Sequence, residues 1–184
     1  MTLSPKPLIG FAAFSGTGKT TLLCQVIPLL TARGLRLGLI KHSHHAFELD
    51  RPGKDSFVLR QAGAQQVVVA SRRRSAVLRQ YPAGARLSLA EFLGQFDTDE
   101  LDLILVEGYK YYPLPKIELY RPSLGHPLLA PDDPDIIAVA TDAPLAQSVA
   151  VPLLNLNQPC EIADFIMTHC WSSPHKQNNP VTAD

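Results

Sequence analysis

A glycine-rich run near the start of the sequence carries residue types that suit the binding of phosphate groups. Residues 13–20 read Ala-Phe-Ser-Gly-Thr-Gly-Lys-Thr, with alanine where the common phosphate-loop pattern has its first glycine. Gly16 and Gly18 allow the backbone to curl with its N–H groups inward, and a following helix adds its positive N-terminal end. Lys19 suits the β- and γ-phosphates, and the Thr20 hydroxyl suits Mg²⁺. The candidate nucleotide-binding residues are therefore Ser15, Gly16, Thr17, Gly18, Lys19, Thr20 and Thr21.

A carboxylate follows a second apolar run, where a partner for this loop is expected. The run Leu103–Val106 reads Leu-Ile-Leu-Val and is followed by Glu107 and a glycine. Because ligands of open α/β sheets sit at the carboxyl ends of the strands, Glu107 is predicted to lie beside the loop. It is a candidate Mg²⁺ ligand with Thr20 and a candidate catalytic residue with Lys19. The alternative is a solvated acid at the end of a strand.

The segment between these two runs contains histidines and a short charged motif. His42, His44 and His45 follow a second predicted strand, but they lack zinc-type spacing and have no cysteine nearby, so hydrogen bonding to phosphate or a mobile switch loop is favoured over a metal site. The motif Asp50–Ser56 opens a short predicted helix. Asp55 is either its cap or a further metal-sphere carboxylate, and Lys54 is a candidate phosphate contact.

Two further positions are candidates at the same edge of the sheet. Asp142 follows the apolar run Asp135–Ala140, and its carboxylate could accept from guanine N1–H and N2–H, whereas adenine has no N1 donor. The alternative for Asp142 is an N-cap or turn residue before a proline. The three arginines 72–74 follow the run Gln66–Ala70, and most of them are expected to be solvated or to contact a partner.

The elements that must position these residues alternate between apolar strands and helices. This alternation predicts an α/β fold, a P-loop NTPase-like and mostly parallel sheet flanked by helices. The predicted strands are Leu8–Phe14, Leu35–Ile40, Gln66–Ala70, Asp102–Val106 and Asp135–Ala140, and the predicted helices are Thr21–Arg33 and Asp55–Ala62.

The segment 109–122 does not fit this alternation of strands and helices. Lys116–Arg121 alternates apolar and polar residues, which predicts a half-buried antiparallel strand. Tyr109–Pro115 leads into it as an extended arm, and the two are expected to form a surface hairpin or to pair with a second copy of the chain. Residues 1–171 are predicted to form a single nucleotide-binding domain, and the polar tail 172–184 is predicted to be disordered.

Composition limits the classes of function. The chain has 184 residues and equal numbers of basic and acidic side chains, 17 of each, which argues against nucleic-acid binding through a global field. The halves differ: residues 1–86 carry 13 bases and 3 acids, and residues 87–184 carry 4 bases and 14 acids. The basic half either meets anions or packs against the acidic half. Without a secretory or membrane-spanning segment or a cysteine framework, the chain is predicted to be cytoplasmic.

Taken together, these motifs resemble the molybdopterin-guanine dinucleotide biosynthesis adapter (MobB) family. The resemblance spans residues 8–145, and GLIKHSHH followed by PGKDS and LILVEGYK is far more specific than a phosphate loop alone. The stretches that carry it are FSGTGKTTLL, GLIKHSHH, DRPGKDS, LRQAGA, LDLILVEGYK and AVATDAPL.

The resemblance implies a GTP-binding protein with Mg²⁺ and weak intrinsic GTPase activity. Such proteins are thought to assist the guanylyltransferase that joins GMP to molybdopterin, which makes molybdopterin a candidate ligand. The family is dimeric, with strands contributed across the dimer. The site residues carried over are Gly16, Gly18, Lys19, Thr20, Glu107 and Asp55. A small-molecule kinase and a metal-delivery GTPase stay open as alternatives, separated by acceptor-dependent turnover and by stoichiometric nickel or zinc, respectively.

Overall fold

The computed structural model describes residues 3–43, 50–82, 84–85 and 87–171. The chain divides into two compact units, one formed by residues up to His42 together with those from Phe92 onward, and the other by Ser43–Glu91. The predicted tail and the histidines at 44 and 45 lie outside the described residues. No helix in the described ranges is long and apolar enough to cross a membrane. The single-domain organisation stays a prediction.

The described residues contain eight strands and four α-helices. In chain order they are β1 (Leu8–Ala12), α1 (Lys19–Thr31), β2 (Leu37–Lys41), α2 (Asp55–Gln61), β3 (Gln66–Ala70), β4 (Ser75–Arg79), α3 (Leu89–Leu93), β5 (Leu103–Glu107), β6 (Lys116–Tyr120), β7 (Ile136–Thr141), β8 (Leu153–Asn155) and α4 (Pro159–Trp171).

Six strands of the first unit form one sheet in the order β2-β5-β1-β6-β7-β8, and every pairing is parallel. Strands buried on both faces must be apolar almost throughout, which explains the continuous apolar runs of β1, β5 and β7. One face carries a core to which α1 and α4 both contribute, including Phe11, Leu22, Val26, Leu105, Ile117 and Ile166. The predicted α/β class with a mostly parallel sheet flanked by helices is confirmed.

The prediction for Lys116–Arg121 is wrong. This segment supplies β6, which lies inside the sheet and pairs in parallel with β1 and β7. Its alternation arises from Lys116 and Glu118, which are polar and yet only 1% exposed. The Lys116 ammonium contacts Asp133 at 3.0 Å, and the Glu118 carboxylate accepts two backbone N–H groups at 2.8 Å. Because buried polar groups can be satisfied in this way, the alternation did not indicate a solvated face.

The predicted arm before β6 is a short crossover and not a hairpin. It leaves β5, passes β1 and enters β6 on the far side of β1. Leu114 at its end is 2% exposed, and a Cβ placed on Gly10 would lie 2.7 Å from the Leu114 side chain. The glycine in β1 therefore allows the crossover to pack directly against the backbone of the sheet.

The second unit contains an antiparallel hairpin of β3 and β4. Gln66–Ala70 is a strand as predicted, but its predicted place in the parallel sheet is wrong. The connection between the two strands is residues 71–74, which include the three arginines, and four residues are too few for a parallel crossover. On one face of the hairpin Val68 lies opposite Val77, and these side chains are 59% and 55% exposed.

Ion pairs within the first unit join the basic half of the sequence to the acidic half. Arg33 pairs with Asp164, and Arg36 pairs with Asp102 through two hydrogen bonds from its guanidinium. The Asp102 carboxyl has its pKa lowered to about 2, chiefly by its hydrogen bond from the Arg36 side chain. The packing interpretation of the charge asymmetry therefore holds for these residues.

Replacing Lys116 by methionine is expected to lower the free energy of unfolding by about 3 kcal/mol, because it leaves the Asp133 carboxylate without its buried cation. Urea unfolding followed by circular dichroism measures the change. As a matched control, Arg33→Met removes the cation from a pair in which the Asp164 side chain is 67% exposed, and it should cost no more than about 1 kcal/mol. Equal losses in the two variants would contradict the stabilising role of Lys116.

Candidate functional site

The glycine-rich loop joins the central strand β1 to helix α1. Gly16 and Gly18 have φ angles of 80° and 101°, in the left-handed region that favours glycine. Gly18 is the N-cap of α1, so no capping side chain covers the first-turn N–H groups of that helix. The Thr17 hydroxyl donates to the Phe14 carbonyl at 2.9 Å, which closes the loop upon itself. This geometry is that of an anion-binding loop at a helix N-terminus.

Lys19, the first residue of α1, folds back over the loop. Its ammonium donates to the carbonyls of Ala13 and Phe14 at 3.1 and 3.2 Å. Burial lowers the pKa of Lys19, the Glu107 carboxylate acts in the opposite direction, and the cations of Lys110 and Lys41 lower the pKa further. Several positive charges thus converge at the mouth of the loop.

Glu107 is the last residue of β5 and is 7% exposed. Its carboxylate accepts from the Lys41 ammonium at 2.7 Å, because Lys41 is its register partner on β2. Gly108 follows with a φ of 102°, and a Cβ there would lie 2.6 Å from the His42 carbonyl oxygen. The glycine after Glu107 therefore lets the chain turn tightly beside β2. The structure places this acid at the same edge of the sheet as the loop, where the sequence predicts it.

Arg121 is a residue of the site that the sequence analysis missed. It directly follows β6, and its Nε donates to the Thr17 carbonyl at 2.9 Å. Its Nη1 donates to Oδ2 of Asp142, which directly follows β7. Asp142 therefore lies at the predicted edge, but one of its carboxylate oxygens already has a charged partner. The signal that could have found Arg121 is its position at the carboxyl end of a strand.

Aromatic side chains also border the loop. The rings of Phe14 and His126 are stacked with centroids 4.5 Å apart, and the Lys110 ammonium lies 3.6 Å from the Phe14 ring centroid. The His42 ring lies 4.8 Å from that of Tyr109, whose hydroxyl has its pKa raised mainly by burial. The arm that follows β5 thus supplies a cation and an aromatic ring beside the loop.

Two further sequence-based candidates, Lys54 and Asp55, belong to the second unit. Lys54 is the N-cap of α2, and Asp55 is in the first turn of that helix. A carboxylate at this position stabilises the helix because it interacts favourably with the helix dipole. The Ser56 hydroxyl donates to the Asp50 carboxylate at 2.9 Å. Within the described ranges no cluster of three or more His, Cys, Asp or Glu side chains could hold a metal ion. A site formed by Thr20 and Glu107 would have only two protein ligands, as Mg²⁺ sites often do.

A parallel sheet whose central strand enters a helix through such a loop, with an acid ending the neighbouring strand, defines a P-loop NTPase-like α/β protein. The chain belongs to the MobB family. The model of that family, described as Molybdopterin guanine dinucleotide synthesis protein B, matches residues 8–142. The resemblance stated from the sequence motifs is thereby confirmed.

Relatives and solved structures agree with this assignment. A molybdopterin-guanine dinucleotide biosynthesis adapter protein of Escherichia coli K12 is 51% identical over 162 residues, covering 88% of this chain and 91% of the relative. One of the same description from Haemophilus influenzae is 44% identical and covers 87% of each. The crystal structure of Bacillus subtilis MobB has a TM-score of 0.70 at 22% identity, covering 91% of this chain and 99% of its own, and shares the fold.

Replacing Glu107 by glutamine is expected to lower the pKa of Lys19 further, because it removes the negative charge that stabilises the protonated ammonium. A pH titration of the lysine side-chain NMR signals measures this shift. Asp102→Asn is the matched control, since it removes a carboxylate from the opposite end of the same strand and should leave the Lys19 titration unchanged. A Lys19 pKa that does not move in Glu107→Gln would contradict the inferred electrostatic contact.

Proposed function

We propose that this chain binds GTP with Mg²⁺, hydrolyses it slowly, and acts as an adapter in the synthesis of molybdopterin guanine dinucleotide beside a guanylyltransferase. The observation that carries the nucleotide site is the loop, in which two left-handed glycines precede a helix that begins with Lys19. The adapter role is supported by relatives of that description at 51% and 44% identity. Molybdopterin is a further candidate ligand.

The phosphates would be held by the backbone N–H groups of the loop and by Lys19. The Lys19 ammonium, which now donates to two neutral carbonyls, would exchange them for charged phosphate oxygens, and such charge-assisted hydrogen bonds are stronger. The residues assigned to this contact are Ser15, Gly16, Thr17, Gly18, Lys19, Thr20 and Thr21. Lys54 stays a candidate from the sequence alone.

Mg²⁺ would be held by the Thr20 hydroxyl and the Glu107 carboxylate. Both are hard oxygen donors, and Mg²⁺ keeps several waters when few protein ligands are present. Such an ion would supply positive charge to the phosphates during phosphoryl transfer. Glu107 would also orient water at the γ-phosphate. Asp55 stays a metal candidate from the sequence alone. The burial of Glu107 at the strand end supports its role.

Slow turnover is expected because Glu107 and Arg121, two of the charged groups near the loop, are already paired. Phosphoryl transfer needs a positioned water and added positive charge at the transition state. Glu107 accepts from Lys41, and the Arg121 guanidinium is held by Asp142. A partner enzyme would therefore supply the additional group that accelerates hydrolysis.

Asp142 is the candidate that selects guanine. Its carboxylate has a second oxygen beside the one bonded to Arg121, so it can accept from guanine N1–H and N2–H while keeping that pair. Adenine lacks the N1 donor and would leave these acceptors without a partner. Preference for GTP over ATP follows from this difference.

Calorimetric titration with GTP, ATP and GDP in Mg²⁺, followed by phosphate release, tests this function. Lys19→Ala should weaken GTP binding at least 100-fold, because the variant loses the cation that faces the β- and γ-phosphates. Lys6→Ala, which removes a lysine on the amino-terminal side of β1, should bind as the wild type does. Unchanged GTP affinity in folded Lys19→Ala would overturn the phosphate site. Preference for ATP, or fast release only with an added acceptor, would favour a kinase.

The homodimer is proposed to use the hairpin of the second unit. Lys116–Tyr120 lies inside the sheet and is not accessible to a second copy, whereas Val68 and Val77 expose an apolar face. A second copy of the chain is the occupant that we assign to this face, as in the dimers that the family resemblance implies.

Replacing both exposed valines of the hairpin by lysine, Val68→Lys with Val77→Lys, is expected to shift the chain from dimer to monomer in sedimentation velocity. The reason is that two ammonium groups would be buried without partners in the interface. Leu153→Lys, at an exposed apolar residue on β8 of the first unit, is the matched control and should sediment as the wild type. A dimer that persists in the double variant would exclude this face as the interface.

A further inference from the structure

One side chain connects the phosphate loop with the residue assigned to the base. Arg121 donates through Nε to the Thr17 carbonyl in the loop and through Nη1 to the Asp142 carboxylate. Its other terminal nitrogen, Nη2, lies 3.8 Å from the position that a Cβ on Gly18 would take, so the guanidinium also packs against the loop. The bond from Arg121 to Thr17 spans 104 residues of sequence.

The bond to Thr17 constrains the direction of a backbone donor. In a trans peptide the N–H points opposite to the C=O, so fixing the Thr17 carbonyl toward Arg121 turns the Gly18 N–H away from it. Gly18 has a left-handed φ and accepts several orientations of this peptide without a side-chain penalty. A charged donor on the carbonyl selects one of these orientations.

Asp142 in turn fixes Arg121. Tyr120 and Thr141 are register partners at the ends of β6 and β7, so the residues that follow them leave the sheet side by side. The Arg121 and Asp142 side chains are 31% and 22% exposed, which makes this a partly buried pair. Without the carboxylate, the long arginine side chain would regain rotamer freedom and hold the loop carbonyl less often.

We infer that Arg121 is a positioning residue, which orients the Gly18 N–H for phosphate and is itself held by Asp142. This inference rests on the proposed nucleotide site and deepens it. Asp142 then has two separable effects: it reads the base directly, and it acts on the phosphates of any nucleotide through Arg121. The first effect changes the ratio of GTP to ATP affinity, and the second changes both affinities together.

The experiment measures GTP and ATP dissociation constants for Arg121→Met, Asp142→Asn and the double variant. Arg121→Met should weaken GTP and ATP by about tenfold each and leave their ratio unchanged. Asp142→Asn should weaken ATP by a similar factor and also reduce the preference for GTP. The double variant should bind ATP no more weakly than Arg121→Met, because both substitutions break the same connection. Arg36→Met, which breaks an arginine–aspartate pair with Asp102 at the opposite edge of the sheet, is the matched control and should bind as the wild type.

The amide NMR signal of Gly18 in ligand-free protein provides a second readout. It should shift in Arg121→Met and in Asp142→Asn, and it should stay in place in Arg36→Met. GTP affinity of Arg121→Met within twofold of the wild type, or a Gly18 signal that does not move, would overturn the inference. A wild-type chain that binds no nucleotide would overturn the proposed function instead, and the Gly18 signal would still decide whether Arg121 positions the loop.

Discussion

The pairing of β1 with parallel neighbours on both sides is the constraint on which the rest of the structure depends. In this register Phe11 lies opposite Glu107, and Ala12 lies opposite Glu118. Parallel strands end at one edge of the sheet, so the glycine-rich loop, Glu107 and Arg121 all emerge there. The apolar side chains of β1 do no chemistry. They fix three strand ends close together, and those ends carry every first-unit residue that we assign to the phosphates and the metal.

The face of the sheet that carries Lys116 and Glu118 shows how this arrangement is maintained. The crossover and the loop that ends near Asp133 lie against these two side chains. Each buried charge meets a charged or backbone partner, which limits the cost of its desolvation. Burial nevertheless raises the pKa of the Glu118 carboxyl above its usual range. Because Lys116 and Glu118 lie on β6, the strand that anchors the connecting segments is also the strand that Arg121 directly follows.

The sequence was sufficient to predict what depends on local pattern. The glycine-rich loop, the acid that ends β5 and the approximate bounds of α1 follow from apolar runs and glycine spacing. The direction of β6 did not follow from the sequence, because alternation identifies polar residues without showing what pairs with them. Asp133 pairs with Lys116 and two backbone N–H groups bond to Glu118, which allows both side chains to be buried. The contact of Arg121 with Thr17 was equally hidden, since the two residues are 104 positions apart and only the strand order brings them together. The strands β4 and β8 and the helices α3 and α4 were not predicted.

The acids of the site, Glu107 and Asp142, fix the positions of neighbouring cations. Lys19, Lys41 and Lys110 repel one another, and this repulsion adds to burial in lowering the pKa of Lys19. An anion-binding loop needs these cations close together, and without counter-charges the long side chains would move apart. Glu107 holds Lys41, and Asp142 holds Arg121, at opposite sides of the loop. A carboxylate beside the glycine-rich loop is therefore not in conflict with the proposed anion binding. It fixes the place of a positive charge, so that phosphates bound there would meet a preorganised set of donors.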